Sequence, residues 1–183
     1  MVVLVYAHPY PGRSRANRRL LEAVRGLDGL DVRVLYDLYP DFGIDVDAEQ
    51  AALADAAAVV WQHPLYWYSV PPLLKLWFDK VLTRGWAYGE GGTALCGKRC
   101  LWAVTAGGDE AAYGPGGMHG HAFDAFAAPL EQTARFCGMV WEAPLVVLDA
   151  HEIDGPALED LCRRYRDRVR SLLESPAQGG DCA

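Results

Sequence analysis

The sequence predicts an α/β fold, a three-layer sandwich in which a five-stranded parallel sheet of order 2-1-3-4-5 carries helices on both faces. Short apolar runs recur along the chain and alternate with longer segments of helical periodicity. Several of these runs are continuously apolar, which is typical of strands buried on both faces. Strands that alternate with helices are joined by right-handed crossovers, and such crossovers favour a parallel sheet.

The first third of the chain contains three predicted strands and two predicted helices. Residues 2–6 form a continuous apolar run, and Pro and Gly residues break the strand after it. A helix is predicted over residues 14–25, because a serine can cap its start and apolar residues recur on one face. Alternating apolar residues indicate a strand at 32–36. An Ala-rich helix at 47–55 and a strand at 58–62 follow.

The middle of the chain contains one helix, one long loop and one strand. Pro71 and Pro72 open the helix, where a missing N–H costs nothing, and apolar residues cover much of its circumference to residue 82. Five glycines in residues 85–98 predict a long loop, interpreted as a lid. The fourth strand is predicted at 101–106, ending at a pair of glycines.

The remaining elements follow a second flexible loop at residues 109–121. They are a helix over about 123–137, a fifth strand at 139–148 that is interrupted by Pro144, and a final helix at 158–173. These elements complete a single α/β domain over residues 1–174.

Length and charge limit the classes of protein to consider. A chain of 183 residues suits one domain, and residues 175–183 are predicted to be a disordered tail. The net charge of −7 argues against a nucleic-acid binder, which needs a basic face to replace counterions. The basic run at residues 163–170 is interpreted as a solvated helix face, with a docking surface for an acidic partner as the alternative.

The predicted location is the cytoplasm. The opening residues lack the basic leader and cleavage site of a signal peptide, and no apolar run is long enough to span a bilayer. The five cysteines contain no Cys-x-x-Cys pair, which predicts free thiols in a reducing compartment.

The predicted topology indicates where a ligand binds. In an open parallel sheet, ligands bind at the carboxyl ends of the strands, at the switch point between the first and third strands. The loops with unusual composition all follow strands, at residues 8–17, 63–70 and 105–121. We therefore expect these loops to meet at one edge of the sheet.

The first of these loops leads into a helix N-terminus, which offers unpaired N–H groups and about half a positive charge to a phosphate. The alternative is that Ser14 only caps the helix and His8 only fills a turn. No Walker lysine or Gly-x-Gly-x-x-Gly motif occurs, which disfavours a nucleoside triphosphate or a Rossmann-bound dinucleotide. The candidate phosphate ligands are His8, Ser14, Arg15, Ala16 and Asn17.

Paired glycines mark the loop after the fourth strand, in the sequence Thr105, Ala106, Gly107, Gly108. Such glycines let a backbone approach a flat ring closely, and their N–H groups can donate to it. A simple turn is the alternative. Beyond them, Tyr113 and His119 could pass protons or stabilise an anion, or could be loose surface residues. No metal-ligand pattern emerges among the other histidines, so no metal is predicted.

Several longer motifs in the sequence resemble those of a known protein family. They are Trp61-Gln62-His63-Pro64, the aromatic and proline-rich run over residues 67–77, and the glycine-rich segments at 85–89 and 91–95. With them the chain resembles the flavodoxin-like NAD(P)H:quinone oxidoreductases over nearly its whole length. Within that family it is most similar to the ancillary subunits of glutathione-gated potassium-efflux (Kef) systems.

The resemblance implies bound FMN rather than FAD, and a homodimer with a site at each subunit interface. It implies that His8 and residues 14–17 hold the phosphate and that Thr105, Ala106, Gly107 and Gly108 contact the polar edge of the isoalloxazine. The ring itself would be lined by Leu65, Tyr66, Trp67 and Tyr68.

For the reaction, the resemblance implies two-electron reduction of a quinone by NADH or NADPH in a ping-pong sequence. Tyr113 and His119 would balance charge during hydride transfer. The alternative function is that of a regulatory subunit, which binds and activates a potassium-efflux antiporter. Such a partner would place the protein at the inner face of the cell membrane.

Overall fold

A parallel sheet lies at the centre of the molecule, and the computed structural model describes residues 1–174 around it. The tail predicted at 175–183 lies outside the described residues. Continuous apolar runs form the long strands, as predicted, and shorter strands lie at the edges. The strands are β1 (Val2–Tyr6), β2 (Leu30–Val34), β3 (Ala58–Pro64), β4 (Arg99–Thr105), β5 (Val140–Trp141) and β6 (Leu145–Val147).

The strand order is β2-β1-β3-β4-β5, with every pairing parallel, which confirms the predicted 2-1-3-4-5 order. The sheet differs from the prediction in one respect. The fifth position holds two short strands, because β5 pairs with the start of β4 at Arg99 and β6 pairs with its end at Thr105. Pro144 lies between them and has no N–H to donate to a ladder.

Helices cover both faces of this sheet. Apolar residues on the helices Ala16–Val24, Pro72–Val81 and Gly155–Glu174 face the strands, as the helical periodicity predicts. Several boundaries differ from the prediction by up to three residues. Two differences are larger in kind: Tyr36 belongs to a short helix rather than to β2, and residues 123–126 form a separate 3₁₀ turn. The α-helices are α1 (Ala16–Val24), α2 (Leu35–Leu38), α3 (Val46–Ala54), α4 (Pro72–Val81), α5 (Ala128–Phe136) and α6 (Gly155–Glu174).

Two apolar layers explain why the central strands have no polar face. Along β1, Val3 and Val5 pack into one layer while Val2 and Leu4 pack into the other. The first layer is rich in tryptophan, and the second lies beneath α1 and α6. A central parallel strand therefore buries both sets of alternating side chains.

The glycine-rich loop at residues 85–98 does not have the character of a lid. Ala87 and Leu95 are buried within the tryptophan-rich layer, so the loop is anchored to the core at two points. A lid needs few buried contacts in order to open. The prediction of an irregular loop is confirmed, and its interpretation as a lid is wrong.

Cysteines and surface charges complete the description. The predicted free thiols are confirmed for Cys100, Cys137 and Cys162, which are buried, but the prediction is wrong for Cys96. The basic run on α6 is partly neutralised by ion pairs such as Arg170–Asp167. Within residues 1–174, no helix has the length and apolar character to cross a bilayer.

Candidate flavin site at the carboxyl edge of the sheet

Loops that follow β1, β3 and β4 meet at one edge of the sheet, as the topology predicts. They form two adjoining pockets that share Leu65 and Gly107. Every residue predicted for the site lines at least one of them. The first pocket contains His8, Ser14, Arg15, Ala16, Asn17, Leu65, Tyr66, Thr105, Ala106 and Gly107. The second contains Leu65, Trp67, Tyr68, Gly107, Gly108, Tyr113 and His119.

The first pocket is a cavity of about 180 Å³ rich in hydrogen-bond donors. Arg13 and Arg15 lie on its rim, and α1 begins at its wall with its N-terminal N–H groups. No carboxylate belongs to its described lining, although the whole protein carries a net charge of −7. Arginine side chains and a helix N-terminus both favour a bound anion. This pocket therefore fits the phosphate end of a flavin nucleotide.

Local hydrogen bonds organise the phosphate side of the cavity. The Ser14 hydroxyl accepts a hydrogen bond from the N–H of Arg18 at 3.2 Å, so this residue both supports the first turn of α1 and lines the cavity. The backbone N–H of Tyr10 donates to Nδ1 of His8 at 3.1 Å. Burial lowers the pKa of His8, which favours the neutral ring with its proton on Nε2.

The second pocket is open and aromatic, with a volume of about 260 Å³. The rings of Tyr113 and His119 lie 4.5 Å apart, centroid to centroid. The Tyr68 hydroxyl lies 3.3 Å from Nδ1 of His119, so the aromatic loop also contacts this pair. These side chains belong to an ordered cluster rather than to a loose surface, because Tyr113 also packs edge-on against Phe123 at 5.0 Å.

Two glycines are needed where the pockets join. A Cβ at position 107 would lie 3.1 Å from the ring of His151. A Cβ at position 108 would lie 3.0 Å from both Nε2 of His119 and Cε2 of Tyr113. These distances are tighter than ordinary carbon contacts, so a side chain at position 107 would press on His151 and one at position 108 on the Tyr113–His119 pair. The glycines also leave their backbone open to a flat ring, as the sequence predicted.

The aromatic loop after β3 is a tight turn with a strained backbone. Tyr66 and Ser69 exchange two backbone hydrogen bonds of 3.0 Å, and Trp67 and Tyr68 between them have φ values of 48° and 62°. Turns with two positive φ values normally contain Asn and Gly, and such a conformation costs other residues about 1–2 kcal/mol each. Tyr68 stacks on Phe126 at 5.3 Å, but Trp67 is 92% exposed, so the strain at Trp67 is not offset by burial of its side chain. Backbone strain of this kind is concentrated at functional sites.

Replacing Trp67 and Tyr68 together by alanine is expected to weaken FMN binding about tenfold or more, because a flat ring loses its aromatic wall. The free energy of unfolding should change by less than about 1 kcal/mol, because the two side chains are exposed and alanine has similar strain at positive φ. Isothermal titration with FMN and thermal unfolding measure the two effects. Phe136→Ala is the control, because Phe136 is also exposed but lies outside both pockets. An unchanged FMN affinity in the double variant would refute this role of the loop.

Five further residues line the first cavity and were not predicted. Tyr10 and Arg13 lie inside the loop singled out after β1, and Pro64 immediately precedes the aromatic loop. Ala150 and His151 follow β6, and the backbone carbonyl of His151 accepts a hydrogen bond of 3.3 Å from Arg15. The rule that ligands bind at the carboxyl ends of the strands applies equally to this last strand, so it could have identified the pair.

The chain is similar to known proteins over nearly its whole length. A glutathione-regulated potassium-efflux system ancillary protein, KefF, from Citrobacter koseri is 51% identical over 175 residues, which are 96% of this chain and 98% of that protein. General stress protein 14 from Treponema denticola, solved in complex with FMN, is 36% identical and has a TM-score of 0.83, with 93% of this chain and 97% of that one covered. An NADPH-quinone reductase from P. pentosaceus has a TM-score of 0.83 at 26% identity, with 92% and 96% covered.

Residues 1–169 match the Flavodoxin_2 family, which is described by its flavodoxin-like fold. The match includes all six strands and both pockets. The chain therefore belongs to the Flavodoxin_2 family.

Proposed function

We propose that the protein is an FMN-dependent NAD(P)H:quinone oxidoreductase. The observation that carries this proposal is the pair of adjoining pockets, one rich in donors and free of carboxylates in its described lining, the other aromatic with a Tyr–His pair. An FMN molecule has the same division, with an anionic phosphate at one end and a flat ring at the other. The relative solved with FMN and the relative named as an NADPH-quinone reductase support the same reading.

In this proposal each group of residues has a separate task. The phosphate end is bound by His8, Ser14, Arg15, Ala16 and Asn17. The backbone N–H groups of Gly107 and Gly108 donate to the polar edge of the ring, because the N–H of Ala106 already donates to the carbonyl of Val147. Bound FMN would supply hydride transfer between a nicotinamide and a quinone. Tyr113 and His119 line the open pocket, where these substrates would stack and where the two side chains would donate to a quinone oxygen. FMN is preferred to FAD because the arginine-lined rim of the cavity suits a terminal phosphate.

The proposal is tested by reconstitution with FMN followed by kinetic assay. The purified protein is expected to be yellow and to oxidise NADH or NADPH when a simple quinone is supplied, with ping-pong kinetics. Parallel assays with each nucleotide determine which donor is preferred. A colourless protein that neither takes up FMN nor oxidises either nucleotide would overturn the proposal.

A second candidate function is that of a regulatory subunit for a potassium-efflux transporter. The observation that favours it is the 51% identity to an ancillary protein of such a system. Under this reading the protein is cytoplasmic and lies peripherally at the membrane through its partner. Co-purification with a transporter, and ion flux that persists when quinone turnover is lost, would support regulation over catalysis.

We also propose a homodimer with one flavin site at each interface. Trp67, Tyr68 and Met118 are exposed around the open pocket, and a partner subunit would cover them. Light scattering of the purified protein measures the assembly state, and a monomer at micromolar concentration would contradict this arrangement.

A further inference from the structure

A buried chain of hydrogen bonds connects the last helix to the flavin site. The Tyr165 hydroxyl on α6 donates to Oε1 of Gln62 at 2.9 Å, and Nε2 of Gln62 donates to Oδ1 of Asn17 at 2.8 Å. Nδ2 of Asn17 then donates to Oγ1 of Thr105 at 2.9 Å. All four residues are at least 95% buried, and the last two line the phosphate cavity.

One backbone carbonyl sets the direction of this chain. Nε2 of Gln62 also donates to the backbone oxygen of Asn17 at 2.8 Å. A carbonyl oxygen can only accept, so the amide nitrogen of Gln62 must face Asn17 and its oxygen must face Tyr165. The reversed orientation would place two oxygens together in a buried site, which carries the full cost of an unpaired group. Burial also raises the pKa of Tyr165, which keeps its hydroxyl protonated as a donor.

The same reasoning continues to the cavity. Because Oδ1 of Asn17 accepts from Gln62, its Nδ2 must face Thr105, and Oγ1 of Thr105 must accept. The Thr105 hydroxyl therefore keeps its own hydrogen, for which the described part of the chain provides no acceptor. Nδ2 of Asn17 also has a second hydrogen for which the described part of the chain provides no acceptor. Two donors without partners thus lie in the lining of a pocket whose described residues include no carboxylate.

We propose that Gln62 and Tyr165 are positioning residues that fix Asn17 and Thr105 as hydrogen-bond donors toward an acceptor-rich ligand. The inference rests on the proposed function, in which that ligand is FMN, and it extends the site to two residues that do not touch the cofactor. Tyr165 and Gln62 are 103 positions apart in the sequence, yet they act on the same donors. The C-terminal helix thereby takes part in cofactor selection.

The competing explanation is that this series of hydrogen bonds only stabilises the core. Satisfied buried networks do stabilise a fold, and the network around Glu49 gives an example in the same protein. There the Tyr39 hydroxyl donates to the carboxylate at 2.6 Å, far in the sequence from either pocket loop. Tyr39→Phe and Tyr165→Phe therefore make the same chemical change in two buried networks, and only the second network reaches the cavity.

The test compares FMN affinity in these two variants, measured by titration well below their melting temperatures. We expect Tyr165→Phe to weaken FMN binding about tenfold, because an unpaired Gln62 oxygen loosens the donors beyond it. Tyr39→Phe should lower the melting temperature and leave the affinity within about twofold of wild type. If Tyr165→Phe also binds FMN within that range, the positioning role is refuted. If wild-type protein fails to bind FMN, the proposed function falls and this inference falls with it.

A second variant keeps the proposal testable if Tyr165→Phe does not fold. Gln62→Glu has almost the same shape, but it has a donor toward Asn17 only while its carboxyl is protonated, and burial raises the pKa of such a group. The dissociation constant for FMN should then increase with pH in the variant and stay nearly constant in wild type. A pH-independent affinity equal to that of wild type would contradict the proposal, because a purely structural role affects unfolding but not binding.

Discussion

Replacing His119 by alanine is expected to lower kcat for quinone reduction roughly 100-fold, the effect of losing a positioned proton donor. The ring of His119 contacts Tyr113 at 4.5 Å and is held from the other side by the Tyr68 hydroxyl at 3.3 Å. A quinone that receives hydride becomes an anion, and a nearby donor stabilises that charge as it develops. Burial, with a further contribution from Tyr68, raises the pKa of Tyr113, so its hydroxyl remains a donor at neutral pH.

The matched control is His121→Ala, which removes an exposed histidine two positions away that does not line either pocket. It should leave kcat unchanged. FMN affinity should stay within about threefold of wild type in both variants, because the residues of the phosphate cavity and the aromatic wall of Trp67 and Tyr68 are unchanged. Stopped-flow measurement separates reduction of the enzyme from reduction of quinone. A kcat for His119→Ala within about threefold of wild type would remove this residue from the proposed chemistry.

The location of the site was predictable because it follows from strand order. Continuous apolar runs such as residues 2–6 identify central strands, and the rule for carboxyl ends then places the loops after β1, β3 and β4 together. Boundaries were less predictable. Tyr36 continues the alternation of β2 but turns into a short helix, and packing of that turn against α4 is not a local property of the sequence.

The supporting residues were not predictable for a different reason. Gln62 belongs to the motif Trp61–Pro64 and Tyr165 lies inside the basic run at residues 163–170, and neither pattern indicates a role at the site. Their contact spans 103 positions and depends on helix α6 lying against α1. Periodicity reports which face of an element is buried, but not which polar atoms meet within the core. Pairing of this kind appears only when the elements are packed.

The motif Trp61–Pro64 also contains His63, whose burial predicts how the free energy of unfolding changes with pH. His63 is fully buried at the end of β3, where Nε2 accepts a hydrogen bond of 2.8 Å from Nε1 of Trp102. Its other nitrogen lies 2.9 Å from the carbonyl oxygen of Pro64, so the neutral ring has its proton on Nδ1. Burial lowers the pKa of His63 to about 4, although the Pro64 carbonyl opposes that shift. A proton on Nε2 would also break the hydrogen bond to Trp102.

This shift makes the folded protein less stable in mild acid. Above pH 6.5 His63 is neutral in both states and has no effect. Between pH 6.5 and about 4 the unfolded chain binds a proton that the folded chain does not, so the free energy of unfolding falls by ~1.4 kcal/mol per pH unit. The total loss attributable to His63 is therefore about 3 kcal/mol at pH 4. The pKa of His8 is also lowered by burial, so that residue adds a loss of the same sign.

Urea unfolding of wild type and His63→Gln across this pH range isolates the contribution of one residue. Glutamine cannot titrate, so the variant is expected to start less stable at pH 7.5 and to lose less stability on acidification. The difference between the two free energies of unfolding should narrow by about 3 kcal/mol between pH 6.5 and 4. If the free energies of unfolding of wild type and His63→Gln fell in parallel with pH, His63 would bind its proton as readily in the folded protein as in the unfolded chain. Loss of its hydrogen bond to Trp102 would then cost nothing, which would contradict the prediction.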